Sequence, residues 1–145
     1  MEYFTKTVEE TIKLGEMIGD SLFPGAIITL NGDLGAGKTT LTKGIAKALG
    51  VKRIVNSPTF TILKIYEGKL TLYHMDVYRL DGIGYDYDLE EYLYGEGVSV
   101  VEWSDNIKGS IDEHLRIDIY QEDGQRKFIL STNSKKYDPV MRGIK

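Results

Sequence analysis

Eight consecutive residues, Gly32-Asp33-Leu34-Gly35-Ala36-Gly37-Lys38-Thr39, carry glycines, a lysine and a hydroxyl at the spacing Gly-x4-Gly-Lys-Thr. That spacing suits one chemistry, the cradling of a phosphate chain. Glycines let the backbone curl so that successive N–H groups point inward at phosphate oxygens. A helix opening at Lys38 adds the positive end of its dipole at the same place. Lys38 then reaches the β- and γ-phosphates, and the Thr39 hydroxyl is placed to ligate magnesium. Asp33, Gly35, Ala36, Gly37 and Thr40 belong to the same nucleotide-binding stretch. The bland alternative is a tight strand–helix turn with an incidental lysine and threonine.

Such a loop needs an acid to hold magnesium, usually at the C-terminal end of an apolar strand. Val98-Ser99-Val100-Val101 leads into Glu102, the first choice for the magnesium shell, directly or through water. Asp76 follows Leu70-Thr71-Leu72-Tyr73-His74-Met75 and is suited to positioning an attacking or outer-shell water. Trp103, the only tryptophan, either fills the core or covers the nucleotide or a partner. His74 reads equally as a general base or as a packing or hydrogen-bonding histidine. Thr59, in a loop after Ser57-Pro58, has a hydroxyl that can sense the γ-phosphate.

The elements that must position these groups are legible around them. Ala26-Ile27-Ile28-Thr29-Leu30 is a short, β-branched apolar run, read as a buried strand entering the loop. Residues 38–49 are strong helix formers ending at Gly50, a C′ glycine. Upstream, Thr7-Val8-Glu9-Glu10 fits a capping box for a helix over residues 8–20, with Val8, Ile12, Ile18 and Leu22 near helical spacing. Residues 61–66 and 69–75 predict a hairpin turning at Glu67-Gly68, and residues 114–120 and 126–131 a second one turning at Glu122-Asp123-Gly124. Residues 51–60 read as an exposed loop, and residues 88–94 as a short helix in an acidic, tyrosine-rich stretch. Mixed helices and strands throughout predict an α/β architecture. Residues 1–131 form one domain, and the polar residues 132–145 are expected to fray or to dock a partner.

Composition narrows the field. A chain of 145 residues can bury a core without metals or disulfides. No apolar run is long enough to span a membrane and no secretory signal is visible, so the expected location is the cytoplasm. Without cysteine, and with only His74 and His114, thiolate and histidine metal cages are disfavoured. A net charge of −4 argues against direct, tight nucleic-acid binding. No Asn-Lys-x-Asp guanine reader is present. The arginines (53, 79, 116, 126 and 142) are dispersed rather than gathered in a kinase-like lid. ATP leads as the nucleotide by elimination.

Four blocks in order, the loop through Thr40, Ser57-Pro58-Thr59-Phe60-Thr61, His74-Met75-Asp76-Val77-Tyr78-Arg79-Leu80 and Glu102-Trp103, resemble the TsaE (YjeE) family. The likeness runs from Thr11-Ile12-Lys13-Leu14-Gly15 to the strands near Arg126, departing at the tyrosine-rich Gly84-Tyr85-Asp86-Tyr87-Asp88. It implies a P-loop NTPase-like sheet with a parallel core, antiparallel hairpin additions and helices on both faces. It also implies a magnesium-dependent ATPase, yielding ADP, that supports threonylcarbamoyladenosine modification of tRNA. Its partners would be a TsaD-type carbamoyltransferase and a TsaB-type subunit, with tRNA engaged only through the complex. Lys38 and the loop amides would bind phosphates, and Thr39 and Glu102 would hold magnesium. Thr59 and Asp76 would respond to nucleotide or take part in catalysis, and Thr11 would lie near the base. Arg79 is a candidate internal arginine finger, and Tyr85, Tyr87, Tyr92 and Tyr94 are either a docking surface or packed tyrosines. The rival readings are a small-molecule kinase using Asp76 as base, and a nucleotide switch whose output is binding.

Overall fold

The computed structural model describes residues 1–33, 37–55, 63–76, 95–102, 111 and 113–145. Among these residues seven strands form one sheet: β1 (Glu2–Thr5), β2 (Ile27–Gly32), β3 (Leu63–Tyr66), β4 (Leu72–Asp76), β5 (Val98–Glu102), β6 (Leu115–Glu122) and β7 (Gln125–Thr132). Their order across the sheet is β1-β7-β6-β2-β5-β4-β3. β6, β2, β5 and β4 run parallel, while β7, β1 and β3 are added antiparallel at the two sides. Among the described residues the helices are α1 (Val8–Asp20), α2 (Lys38–Ala48) and α3 (Asp138–Arg142), the last preceded by a 3-10 turn over Lys135–Tyr137. Among the described residues, no helix is long and apolar enough to cross a membrane.

β2 is the central strand, and Ile27 through Asn31 are buried. Such two-sided burial explains why it reads as a continuous apolar run rather than an alternating one. Ile28 and Leu30 on β2, Val98 and Val100 on β5, and Leu115, Ile117 and Ile119 on β6 share a core with Leu14, Ile18, Leu41 and Ile45 of α1 and α2. Helices are expected on both faces, and those of the described residues pack on this one. Ile27, Thr29, Val101 and Met75, which alternate with that set, are buried as well.

α1 begins where its cap demands. The Thr7 side chain accepts from the Glu10 N–H at 3.1 Å. Glu10 reaches back to the Lys6 N–H at 2.9 Å, one residue earlier than the expected reciprocal bond to Thr7. The buried stripe also differs from the periodicity of the large apolar residues. Thr11, Leu14, Gly15, Ile18 and Gly19 face inward, whereas Val8 is 51% exposed. Small residues set this face because α1 lies directly against α2. A Cβ on Gly44 would stand 2.9 Å from the Gly15 Cα and overlap the Ile12 carbonyl oxygen. At the far end of α2, Val51 N–H to the Ala46 carbonyl (3.0 Å) and Gly50 N–H to Lys47 (3.1 Å) complete a Schellman closure.

Both predicted hairpins form. β3 and β4 pair antiparallel. β6 and β7 meet at Asp123 (φ 47°) and Gly124 (φ 79°), two left-handed residues that make the tight turn matching strand twist. β1 carries no sequence signal strong enough to predict it. Four residues become a strand because β7 offers them a free edge. The segment expected to fray does not. Tyr137 and Val140 are 1% and 0% exposed, and the Tyr137 hydroxyl accepts the Ile27 N–H at 2.8 Å. Tyr137, Val140 and Ile144 form an apolar stripe at helical spacing within otherwise polar sequence, and an average over composition hides that stripe.

Gly44→Ala is expected to lower unfolding free energy by about 3 kcal/mol, since the added methyl meets backbone that can yield only by separating the helices. Tyr137→Phe should cost about 2 kcal/mol by orphaning the buried Ile27 N–H. Urea titration of each variant checks both, and an unchanged midpoint for Tyr137→Phe would mean that its hydrogen bond to Ile27 adds little to the fold.

Candidate nucleotide site

The site lies at the C-terminal ends of the parallel strands, where ligands of open α/β sheets bind. β2 ends at Gly32, and α2 begins at Lys38. Gly37, the residue before the helix, has φ 116°, a conformation that side-chain-bearing residues rarely adopt. No side chain among the described residues caps the helix. The first N–H groups of α2 therefore lack a capping acceptor there. An anion is the natural one.

Lys38 is 5% exposed, and its Nζ donates to the carbonyls of Gly32 (2.6 Å) and Asp33 (3.2 Å). Burial pushes its ammonium below the usual lysine range, opposed by the charges of Glu102, Asp76 and Asp33. The strand register brings those acids in. Leu30 of β2 stands opposite Glu102 of β5, and Glu102 opposite Asp76 of β4. Opposed residues share a face, so both carboxylates lie on the side of the sheet that carries α2. Glu102 is 3% exposed, and its Oε2 lies 2.5 Å from Nε2 of His74. Thr39 and Thr40 occupy the first turn of α2, half-buried. A helix start without a side-chain cap among the described residues, a lysine held by carbonyls, a hydroxyl and two strand-end acids fit a phosphate chain with a divalent cation.

A cavity of about 490 Å³ lies beside the loop, between residues 5–8 and the β6–β7 turn at 121–126. Arg126 joins the two regions. A Cβ on Gly37 would stand 2.9 Å from the Arg126 Nη1.

The profile of the family described as threonylcarbamoyl adenosine biosynthesis protein TsaE matches residues 5–128. The chain belongs to the TsaE family. The tRNA threonylcarbamoyladenosine biosynthesis protein TsaE of Bacillus subtilis (strain 168) is 45% identical over 141 residues, covering 95% of this chain and 89% of its own length. Its counterpart in Treponema pallidum (strain Nichols) is 40% identical over 116 residues, 79% of this chain and 86% of the relative. The crystal structure of Bacillus subtilis YdiB aligns with a TM-score of 0.86 at 40% identity, over 99% of this chain and 93% of that one. The expected phosphate-loop α/β sheet, with parallel core and antiparallel additions, is thus the TsaE fold.

Of the residues singled out from sequence, Lys38, Asp76 and Glu102 come together and Asp33, Gly37, Thr39 and Thr40 surround them. Gly35, Ala36, Thr59, Arg79, Trp103 and the four tyrosines lie outside the described residues. Thr11 is fully buried, its hydroxyl 2.7 Å from that of Thr5 and 3.3 Å from the Thr7 carbonyl oxygen. It stands behind the cavity, whose wall is made by Thr5, Lys6, Thr7 and Val8 on that side. Arg126 had no local signal, because only the β6–β7 pairing carries it to Gly37.

The lysine sets a pH dependence. Its folded-state pKa lies below the unfolded value of 10.5, so the unfolded chain holds the proton more tightly. Unfolding then takes up a proton between the two values, and stability rises with pH across that window. In magnesium-free buffer without nucleotide, Lys38→Met should remove this alkaline rise and gain stability at neutral pH. Denaturation midpoints measured as pH approaches 10.5 decide it. Parallel curves for parent and variant would mean that burial costs the ammonium little.

Proposed function

We propose that this chain is a magnesium-dependent ATPase that supports threonylcarbamoyladenosine modification of tRNA as an accessory subunit. The observation that carries the reading is the convergence of Lys38, Asp76 and Glu102 at the uncapped start of α2. The relatives named for tRNA threonylcarbamoyladenosine biosynthesis supply the biological setting.

In this reading the loop amides and Lys38 bind the β- and γ-phosphates. To do so, Nζ exchanges its two carbonyl acceptors for phosphate oxygens. Thr39 and Glu102 hold magnesium, which supplies positive charge to the transferring phosphoryl group. Asp76, at the adjacent strand end, orients the attacking water. Thr59 follows the state of the γ-phosphate, and Trp103 lies next in sequence to the magnesium carboxylate. The cavity beside Arg126 accepts the base and ribose.

Phosphoryl transfer needs charge on the transition state and an in-line water. Among the described residues the cation buried at this site is Lys38, and hydrolysis by the isolated subunit is expected to be slow. Assembly with a TsaD-type carbamoyltransferase and a TsaB-type subunit accelerates it. The net charge of −4 suits a cytoplasmic subunit that leaves tRNA contact to its partners.

Release of phosphate from ATP by the purified chain should be slow, rise when a TsaB–TsaD pair is added, and fall about 100-fold in Lys38→Ala. Equal turnover with and without the pair would refute partner activation. A phosphorylated small molecule in place of free phosphate would make the protein a kinase instead.

A further inference from the structure

His74 is fully enclosed on β4, and its two ring nitrogens are treated differently. Nε2 lies 2.5 Å from Oε2 of Glu102, while Nδ1 is buried with no hydrogen-bond partner among the described residues. Against a carboxylate, which only accepts, Nε2 is the donor. An unpaired buried nitrogen costs stability that an apolar side chain of similar size would not. Packing therefore does not explain a histidine here, and the bond to Glu102 does.

The sheet register shows how the bond is made. His74 stands opposite Val100, and Asp76 opposite Glu102. His74, two residues before Asp76 on the same face of β4, reaches diagonally to the carboxylate at the end of β5. A glutamate has three rotatable side-chain bonds, and one at a strand end would sample several directions, including toward the Lys38 ammonium. The bond to His74 takes Oε2 and leaves Oε1 for a second partner. Lys38, meanwhile, is tied to the carbonyls of Gly32 and Asp33. The two opposite charges of the site are thus each engaged by groups that a phosphate chain and a cation can complement.

We propose that His74 is a positioning residue, holding Glu102 in the one orientation in which its carboxylate receives the magnesium ion that accompanies the nucleotide. The inference rests on the magnesium–nucleotide reading above. His74 touches neither substrate nor metal and acts through Glu102 alone. Outer partners of metal-binding groups commonly change metal affinity by about 10–100-fold. The effect is therefore sought in how much magnesium strengthens nucleotide binding, not in nucleotide binding itself.

The test is calorimetric titration of the full chain with ADP, in EDTA and in magnesium, for the parent and for His74→Leu, His74→Asn, His74→Gln, Glu102→Gln and the double variant His74→Leu/Glu102→Gln. His74→Leu and His74→Asn should each lose about tenfold of the affinity gained from magnesium. His74→Gln should stay within about threefold of the parent, because its longer amide carries an N–H near the position of Nε2. Adding His74→Leu to Glu102→Gln should change nothing further, and in EDTA each His74 variant should match the parent. Asn and Gln are both polar and both foldable alternatives should the leucine variant be unstable, so a difference between them reports reach rather than packing. A full magnesium gain in His74→Asn, or losses at His74 and Glu102 that multiply in the double variant, would overturn the proposal. A parent whose ADP affinity ignores magnesium would overturn the underlying reading, and this inference with it, whatever the variants do.

Discussion

Parallel pairing of β2 with β5, and of β5 with β4, is the constraint on which the rest of the molecule depends. It aligns Leu30, Glu102 and Asp76 in one row. It thereby puts two acids at the strand ends nearest the start of α2. A slip of one residue in either pairing would turn a carboxylate to the opposite face, since side chains alternate along a strand. The continuous burial of β2 and β5 prevents that slip by making the register expensive to change. Core packing and site geometry are thus parts of one arrangement.

Helix α2 is fixed to that row from the other side. The close crossing at Gly15 and Gly44 sets its distance from α1. α1 is in turn tied to the sheet through the Thr5–Thr11 hydroxyl pair and by shared core contacts with Tyr137 and Val140. Lys38 therefore enters a partly desolvated place that backbone geometry has already defined. Its depressed pKa reflects that placement, and Glu102, Asp76 and Asp33 offset part of the desolvation.

Features written in contiguous residues are legible in the sequence. The glycine-rich entry to α2, the Thr7 cap, the apolar β2 and β5 runs and both hairpins each depend on chemistry within a few positions. Strand-end placement makes Asp76 and Glu102 candidates for the same reason. Features that depend on distant partners are not legible there. β1 is a strand only because β7 has a free edge beside it. Val8 faces solvent because glycines, not large apolar residues, decide which side of α1 meets α2. The C-terminal helix packs because Tyr137 finds Ile27, 110 residues away.

The amino-acid order alone determined that a glycine-rich segment joins a buried strand to a helix, which cation and hydroxyl open that helix, and which carboxylates stand at strand ends. Those are consequences of local dihedral preference and side-chain period, and neighbours in sequence suffice for them. The tertiary structure alone decided that Arg126 lies against Gly37, that Thr11 faces inward while Thr5 to Val8 wall the cavity, and that His74 binds Glu102. Each of those joins residues on separate elements. Their meeting follows from strand order, register and helix crossing, which arise from packing the whole chain around one core.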